Sequence, residues 1–397
     1  MKFGTCFARR LVATTMFGLI AATSLTASEN PSSRPQAESV QDAEPTGQTP
    51  KDEVANEDVH KGEVKVQKDQ IEVVTSELPD PPKAVTSFGA AIAGGKLYVY
   101  GGHTGNAHSY SVQTQTGHFS CLDLRSDPSA TSQGASSSRQ SNKLQWQTLP
   151  AGPRLQGLAM VADGEDVIRI GGFTAMNQEN EDADLRSQSD VARFRADLGQ
   201  WQTLPDLPEP RSSTDAIVGG RTLYVAGGWA MQGDDEARWL DTAWSLDLAD
   251  PDARWQALGE SFPPRRAIST AFLDGKLYVI GGMLPEGKTT GEVLVYDPQT
   301  SRWSSGPELP GESMNGFGTA ACVADGHLYV NTINGYVFRL DPQSESWDAI
   351  GQLDPPRFFH RMVTRPASDP TSLMLIGGVN MKLGKFTQID LIRLQGP

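Results

Sequence analysis

Arginine recurs after proline at four places in this 397-residue chain: Arg154, Arg211, the pair Arg265 and Arg266, and Arg357. A ring of guanidinium groups in an acidic protein is suited to binding a carboxylate or a sugar acid through paired hydrogen bonds. The same regularity suits a plainer task, in which each arginine bonds the carbonyls of neighbouring loops, and recurrence in register favours that task. Trp229 and Trp239, in GGWAMQGDDEARWLDTAW (227–244), offer faces on which a sugar could stack, whereas Trp244 alternates into a strand and reads as core. His103, His108 and His360 would form a metal or acid–base centre only if distant segments brought them together. The candidate ligand contacts are His103, His108, Tyr110, Arg211, Trp229, Asn315, Arg357 and His360. No catalytic residue, metal site or cofactor is assigned.

Other chemistries lack their signatures. There is no G-x-S-x-G elbow and no paired nucleophile and base. The stretch NQENEDADLRSQSD (177–190) has carboxylates enough for a weak calcium site, but lacks the spacing and glycine of an EF-hand loop. A solvated loop is the favoured reading.

These residues hang on a repeat. Gly-Gly follows an apolar strand at LYVYGG (97–102), VIRIGG (167–172), LYVAGG (223–228), LYVIGG (277–282) and LMLIGG (373–378). A sixth copy, LYVNTI (328–333), keeps the strand and loses the glycines. Trp recurs at 146, 201, 255, 303 and 347. Asp163-Gly164, Asp274-Gly275 and Asp325-Gly326 supply hairpin turns just before the Gly-Gly strands. Each unit reads as four short antiparallel strands, a to d, with no helical periodicity. Such a unit cannot bury its apolar face alone, so the copies must pack together.

The recurring buried strand, Gly-Gly and Trp resemble kelch repeats over about residues 70–397. The resemblance implies an all-β fold, a six-bladed kelch β-propeller with four antiparallel strands per blade. QIEVVTSELPDPP (70–82) resembles QWQTLPDLPEP (200–210), so an N-terminal strand is expected to close the sixth blade, with Glu72 at the Trp position. With strand a innermost, the d–a and b–c loops share one face and converge on a central opening. The candidate contacts fall there. Blade five departs from the pattern twice on that face, in GESMNGFG (311–318) and at Asn331-Thr332. Exported kelch propellers include sialic-acid mutarotases or epimerases, which need orienting arginines and a modest acid or base without a cofactor. Copper radical oxidases resembling galactose oxidase also use this fold, but Cys121 sits in a strand c rather than in the funnel. The resemblance therefore implies a propeller that binds protein or carbohydrate, with sugar-active catalysis as the alternative.

The remaining sequence bounds where this happens. Lys2, Arg9 and Arg10 precede LVATTMFGLIAA (11–22) and then small residues, the order of a secretory signal peptide cleaved after Ala27. Residues 28–69 are rich in Glu, Asp, Pro, Ser and Gln and poor in large apolar side chains, and are expected to be a disordered acidic linker. The mature chain is expected to be periplasmic or extracellular, without a membrane span, and monomeric. Formal net charge is −14, from 34 Lys and Arg against 48 Asp and Glu, which opposes nucleic acid and anionic membrane as partners. Cys121 and Cys322 lie in well-separated repeats on predicted strands and read as buried free thiols. RSDPSATSQGASSSRQSNK (125–143) reads as a flexible c–d excursion on the opposite face.

Overall fold

A computed structural model describes residues 63–126, 144–259, 262–341, 343–365 and 372–395. The expected signal peptide, the linker up to residue 62 and nearly all of the Ser-rich excursion lie outside the described residues.

Alternating apolar residues and Asp-Gly turns produce six four-stranded antiparallel sheets. Asp274 and Gly275 take φ of 50° and 76°, the left-handed pair that a tight hairpin between Ser269–Leu273 and Lys276–Ile280 requires. Blade one comprises Gly89–Ala93, Lys96–Tyr100, Phe119–Asp123 and Trp146–Leu149. Blade two comprises Ala159–Asp163, Asp166–Ile170, Val191–Arg195 and Gln200–Leu204. Blade three comprises Asp215–Gly219, Thr222–Ala226, Ala243–Asp247 and Gln256–Ala257, and blade four Ser269–Leu273, Lys276–Ile280, Val293–Asp297 and Arg302–Ser305. Blade five comprises Ala320–Ala324, His327–Asn331, Tyr336–Asp341 and Ser346–Gln352. Blade six takes Arg361–Thr364, Ser372–Ile376 and Ile389–Leu394 from the end of the chain, and Ile71–Thr75 from its beginning.

That last pairing closes the ring, as expected, but in a different register. Trp201 lies opposite Phe194, itself opposite Val167, and Trp303 opposite Tyr296, itself opposite Leu277. The equivalent ladder in blade six runs Leu373, Ile392, Val73, so Val73 rather than Glu72 holds the tryptophan position. Glu72 instead faces Arg393, with a 3.3 Å ion pair. The side-chain period of two puts Ile71 and Val73 on the face toward blade five, where Ile71 packs into the apolar cluster, and turns Glu72 to the other face. Val66, inside the stretch expected to be linker, forms a parallel bridge with Ala349 on blade five, so the ordered chain begins before residue 70.

Two devices join neighbouring blades. Each tryptophan of an outer strand donates its indole N–H to a carbonyl at the end of the preceding blade: Trp146 to Pro79, Trp201 to Pro150, Trp255 to Pro205, Trp303 to Leu258 and Trp347 to Pro307, at 2.7–3.0 Å. The Gly-Gly pair forms the second. Gly172 N–H bonds the Arg211 carbonyl of the next blade at 2.9 Å, and a Cβ on Gly171 would lie 2.5 Å from that oxygen. Only glycine leaves room for the neighbouring backbone at such a distance. Gly102, Gly228 and Gly282 repeat the bond to Leu155, Arg265 and Gly316. Between the sheets lie six apolar clusters, each shared by two adjacent blades, such as Tyr98, Phe119, Leu158 and Phe194 between blades one and two.

At the axis, the first residue of each inner strand is Gly89, Ala159, Asp215, Ser269, Ala320 or Arg361. Four are small. Asp215 and Arg361, from blades three apart, form an ion pair of 3.0 Å across the axis. Arg361 also donates to the Phe88 carbonyl at 2.9 Å and the Leu158 carbonyl at 2.8 Å, and Asp215 accepts from the Thr270 N–H at 2.8 Å. One ion pair thus ties together blades six, one, two, three and four. The inner strands enclose a channel of about 340 Å³. Cys322 lies half-buried on its wall and Cys121 is buried in blade one; both are free thiols, and desolvation pushes Cys322 up to about 12.

Candidate functional site

The d–a and b–c loops do meet on one face. Five short backbone bridges join them, Thr86 to His103, Gln156 to Phe173, Ser212 to Trp229, Arg266 to Met283 and Phe358 to Val379. Just inside lie residues with positive φ, and their backbones form a belt: Gly157 N–H bonds Ser87, Ser213 bonds Gly157, Ala267 bonds Ser213, Gly318 bonds Ala267 and Phe359 bonds Gly318, at 2.7–3.2 Å. The belt and the Asp215–Arg361 pair floor the opening.

The rim is uneven. In blades two, three and six the b–c loops form small ribbons: Phe173–Ala175 with Leu185–Ser187, Trp229–Ala230 with Arg238–Trp239, and Val379–Asn380 with Gly384–Lys385. The 177–190 stretch therefore contributes a strand as well as loop. Neighbouring loops are laced together. Gln115 exchanges hydrogen bonds with Ala175, Ser187 with Met231, and Lys385 donates to the Gly105 carbonyl at 2.5 Å. A continuous wall runs over blades six, one, two and three. Blade five has only the tight turn from Asn331 to Tyr336.

The arginines divide into two kinds. Arg211, Arg265 and Arg357 occupy one register position and point into the protein. Their Nη1 atoms donate to Gly227, Gly281 and Gly377 carbonyls at 3.1, 3.5 and 3.4 Å. Their charges are balanced by Glu209, Glu292 and Asp390. Burial lowers the Arg211 pKa to about 10, so it remains charged at neutral pH. Arg211 and Arg357 are thus placed inside the repeat rather than at the opening, because the Gly-Gly carbonyls of the same blade need a donor. Arg154 donates to the Val112 carbonyl at 2.9 Å. Arg266 differs. It is half-buried, its guanidinium carbon sits 4.1 Å from the Trp229 ring centre and 5.2 Å from that of Trp239, and burial lowers its pKa.

The other expected contacts scatter. His103 is buried, with Nε2 3.0 Å from the Ser109 carbonyl, and burial lowers its pKa. Tyr110 stands half-buried between His103 and Phe173, with ring centres 5.2 and 5.8 Å away. His108 is exposed in a left-handed conformation. Asn315 is buried within blade five's loop, donating to the Pro310 carbonyl and accepting from Asn334. His360 is sealed at a buried position that blades one, two and four fill with Phe88, Leu158 and Ile268 and blades three and five with Thr214 and Thr319, and neither ring nitrogen has a partner. Among the described residues no three His, Cys, Asp or Glu side chains are grouped to hold a metal ion.

What the face assembles is an aromatic and cationic cluster: His103, Tyr110 and Phe173 from blades one and two, then Trp229, Trp239 and Arg266 from blades three and four. Indole faces and a guanidinium can hold a ring with an apolar face and polar substituents. Asp215 and Arg361 were not singled out from sequence. The signal for them was an opposite-charge pair at the small axial position, in blades three apart.

Comparison with known proteins agrees with this architecture. Residues 157–378 match the family model KLHDC2/KLHL20/DRC7 Kelch-repeats domain. The chain is 27% identical over 230 residues to Kelch repeat and BTB domain-containing protein 12 of Danio rerio, covering 52% of this chain and 36% of that protein. It is 32% identical over 177 residues to N-acetylneuraminate epimerase 2 of Escherichia coli O6:H1, covering 41% of this chain and 44% of that protein. The chain thus spans less than half the length of these relatives. The solved structure of YjhT superposes with a TM-score of 0.59 at 17% identity, over 81% of this chain and all of that one, a likeness of fold.

Proposed function

The chain belongs to the KLHDC2/KLHL20/DRC7 Kelch-repeats domain family, and on that premise we propose that it is a binding propeller that recognises a protein or carbohydrate ligand on its d–a and b–c loop face. One observation carries this reading: the half-buried cluster of Tyr110, Trp229, Trp239 and Arg266 on the walled side of the opening. Half-exposed tryptophans with a cation packed against them form a recognition surface that a purely structural loop has no need of. His103 is engaged with the Ser109 carbonyl and His360 is sealed in the core, so neither is free to move protons at the opening. That favours binding over catalysis. The charged, apolar and small-residue order of residues 1–27 supports action outside the cytoplasm. Sequencing the N-terminus of the protein recovered from the periplasm tests this, with a start at Ser28 expected.

The test of the face is a glycan array and a pull-down with wild type and Trp229→Ala/Trp239→Ala. Loss of a wild-type ligand in the variant, with an unchanged melting temperature, supports the reading; retention by the variant sinks it. A second reading, mutarotation of a sialic-acid sugar, draws on the 32% identity to an N-acetylneuraminate epimerase. Anomer-exchange NMR on N-acetylneuraminate decides it, since a rate equal to the enzyme-free blank removes it.

A further inference from the structure

We infer that Arg266 is the anchor for a ligand carboxylate, and that the ligand class is a monocarboxylated sugar such as a uronic acid; this rests on the loop face being the binding face. Every other arginine of the d–a loops described above has a carbonyl or carboxylate partner. Arg266 has neither for its side chain among the described residues. Its Nη2 meets only the thioether sulfur of Met283 at 3.2 Å, and its Nε is buried without a partner. A thioether is a weak acceptor, so the guanidinium is desolvated with its donors poorly used. Such a group calls for an explanation.

The repeat does not require it. At the same register position the other blades carry Thr86, Gln156, Ser212, Phe317 and Phe358, all uncharged. Arg266 is therefore an addition to the scaffold, held in place by two indoles that belong to a neighbouring blade. The rings of Trp229 and Trp239 stand 5.7 Å apart at 59°, and Trp229 Nε1 also lacks a partner. Electrostatic interaction places the Tyr110 phenol in its vicinity. A carboxylate pairing with the guanidinium would bring the attached ring against the indole faces, where sugar C–H groups stack. The net charge of −14 narrows the class further: it repels polyanions, whereas one carboxylate against one local cation is tolerated.

Isothermal titration of the full chain with D-glucuronate, D-galacturonate and D-glucose tests this, alongside Arg266→Met, Arg266→Lys and Trp239→Ala. Met keeps the packing against the indoles, and matched thermal melts control for folding. Wild type is expected to bind at least one uronate tenfold or more tighter than glucose. Arg266→Met should abolish the preference, Arg266→Lys should restore part of it, and Trp239→Ala should weaken acid and neutral sugars alike. Equal binding of acid and neutral sugars by wild type, no uronate binding, or a preference surviving Arg266→Met overturns the inference. If the glycan array still yields a ligand lost in the double tryptophan variant, the binding face stands while the carboxylate anchor falls.

Discussion

The junction between blades three and four and the junction between blades five and six solve the same problem by different means. At the first, Trp303 donates to the Leu258 carbonyl at 2.8 Å and Gly228 N–H bonds the Arg265 carbonyl at 2.8 Å. At the second, Val73 stands at the tryptophan's place in the ladder, and Thr332-Ile333, rather than the Asn331-Thr332 expected from sequence, replace the glycines. Thr332 N–H bonds the Tyr336 carbonyl within its own blade, as Gly227 N–H bonds Thr242 in blade three. Among the described residues, however, Ile333, at the place of Gly228, makes no backbone bond to the next blade; Asn331 Nδ2 bonds the Gly335 and Tyr336 carbonyls. Besides the apolar cluster the two blades share, the N-terminal segment joins blades five and six. Val66 pairs with Ala349 and Gln67 Nε2 reaches Asp348 at 3.0 Å on blade five, while Ile71–Thr75 forms the outer strand of blade six. Covalent continuity replaces the repeat's own fasteners. Freed from those fasteners, blade five could diverge, and the low side of the rim lies there.

The largest effect should come from removing that segment. A chain beginning at Glu77 loses the outer strand of blade six and both contacts to blade five, exposing an unpaired strand edge. Relative to a chain beginning at Glu63, it is expected to lose its cooperative thermal transition or aggregate. An unchanged melt would show that the junction does not depend on the segment.

The axial pair distinguishes the blades in a second way, since it ties five of them and leaves out blade five. Asp215→Ala should cost about 2–4 kcal/mol in chemical denaturation, because Arg361 loses its counter-charge in a largely buried setting. Asp215→Ala/Arg361→Met should recover much of that loss. A double variant as unstable as the sum of the singles would contradict the coupling.

The Gly-Gly contact predicts an asymmetry of the same kind. Gly171 has φ 53°, and a Cβ there would lie 2.5 Å from the Arg211 carbonyl. Gly171→Ala is expected to cost about 2 kcal/mol or more. Thr332→Ala, at the corresponding place in blade five, removes a hydroxyl with no partner and should cost under about 1 kcal/mol. Equal costs would mean that blade five docks as the others do.

Sequence made the repeat legible because its markers are backbone requirements: glycine where a neighbouring chain passes, Asp-Gly where φ is positive, tryptophan where a donor must reach across. Blade count, strand order and terminal closure follow from those markers. The site was harder to read because arginine serves two purposes there with one sequence signature. Arg265 and Arg266 are adjacent, yet one bonds Gly281 and Glu292 inside its blade and the other packs against two indoles of blade three. Only the three-dimensional register, which puts Arg265 with Arg211 and Arg357, separates them. The tryptophan position in the closing strand lies one residue from Glu72 and was hidden for a related reason: the Leu-Pro turn aligns clearly, whereas Val73 gives no signal of standing in for Trp.

The smallest expected effect concerns His360, on the irregular side. It fills a buried position that is apolar in blades one, two and four, both ring nitrogens lack partners, and burial with Arg357 and Arg361 nearby holds its pKa well below the usual 6.5. Those arginines are paired with Asp390 and Asp215, so no carboxylate is left to favour an imidazolium. Below pH 6.5 the unfolded chain takes up a proton on His360 that the folded chain refuses. Stability contributed by the neutral ring is therefore full above that pH and declines as the pH falls. The loss should approach about 1.4 kcal/mol per pH unit until the folded pKa is reached. His360→Leu, which restores the residue found at 158, should remove this increment. Denaturation of wild type and variant at pH 7.5 and 5.0 isolates it, because His103 and His118 titrate alike in both. A stability difference between the two proteins that does not change with pH would mean that the ring is hydrated or paired in solution, and that the blade six core is looser than its counterparts in blades two and four.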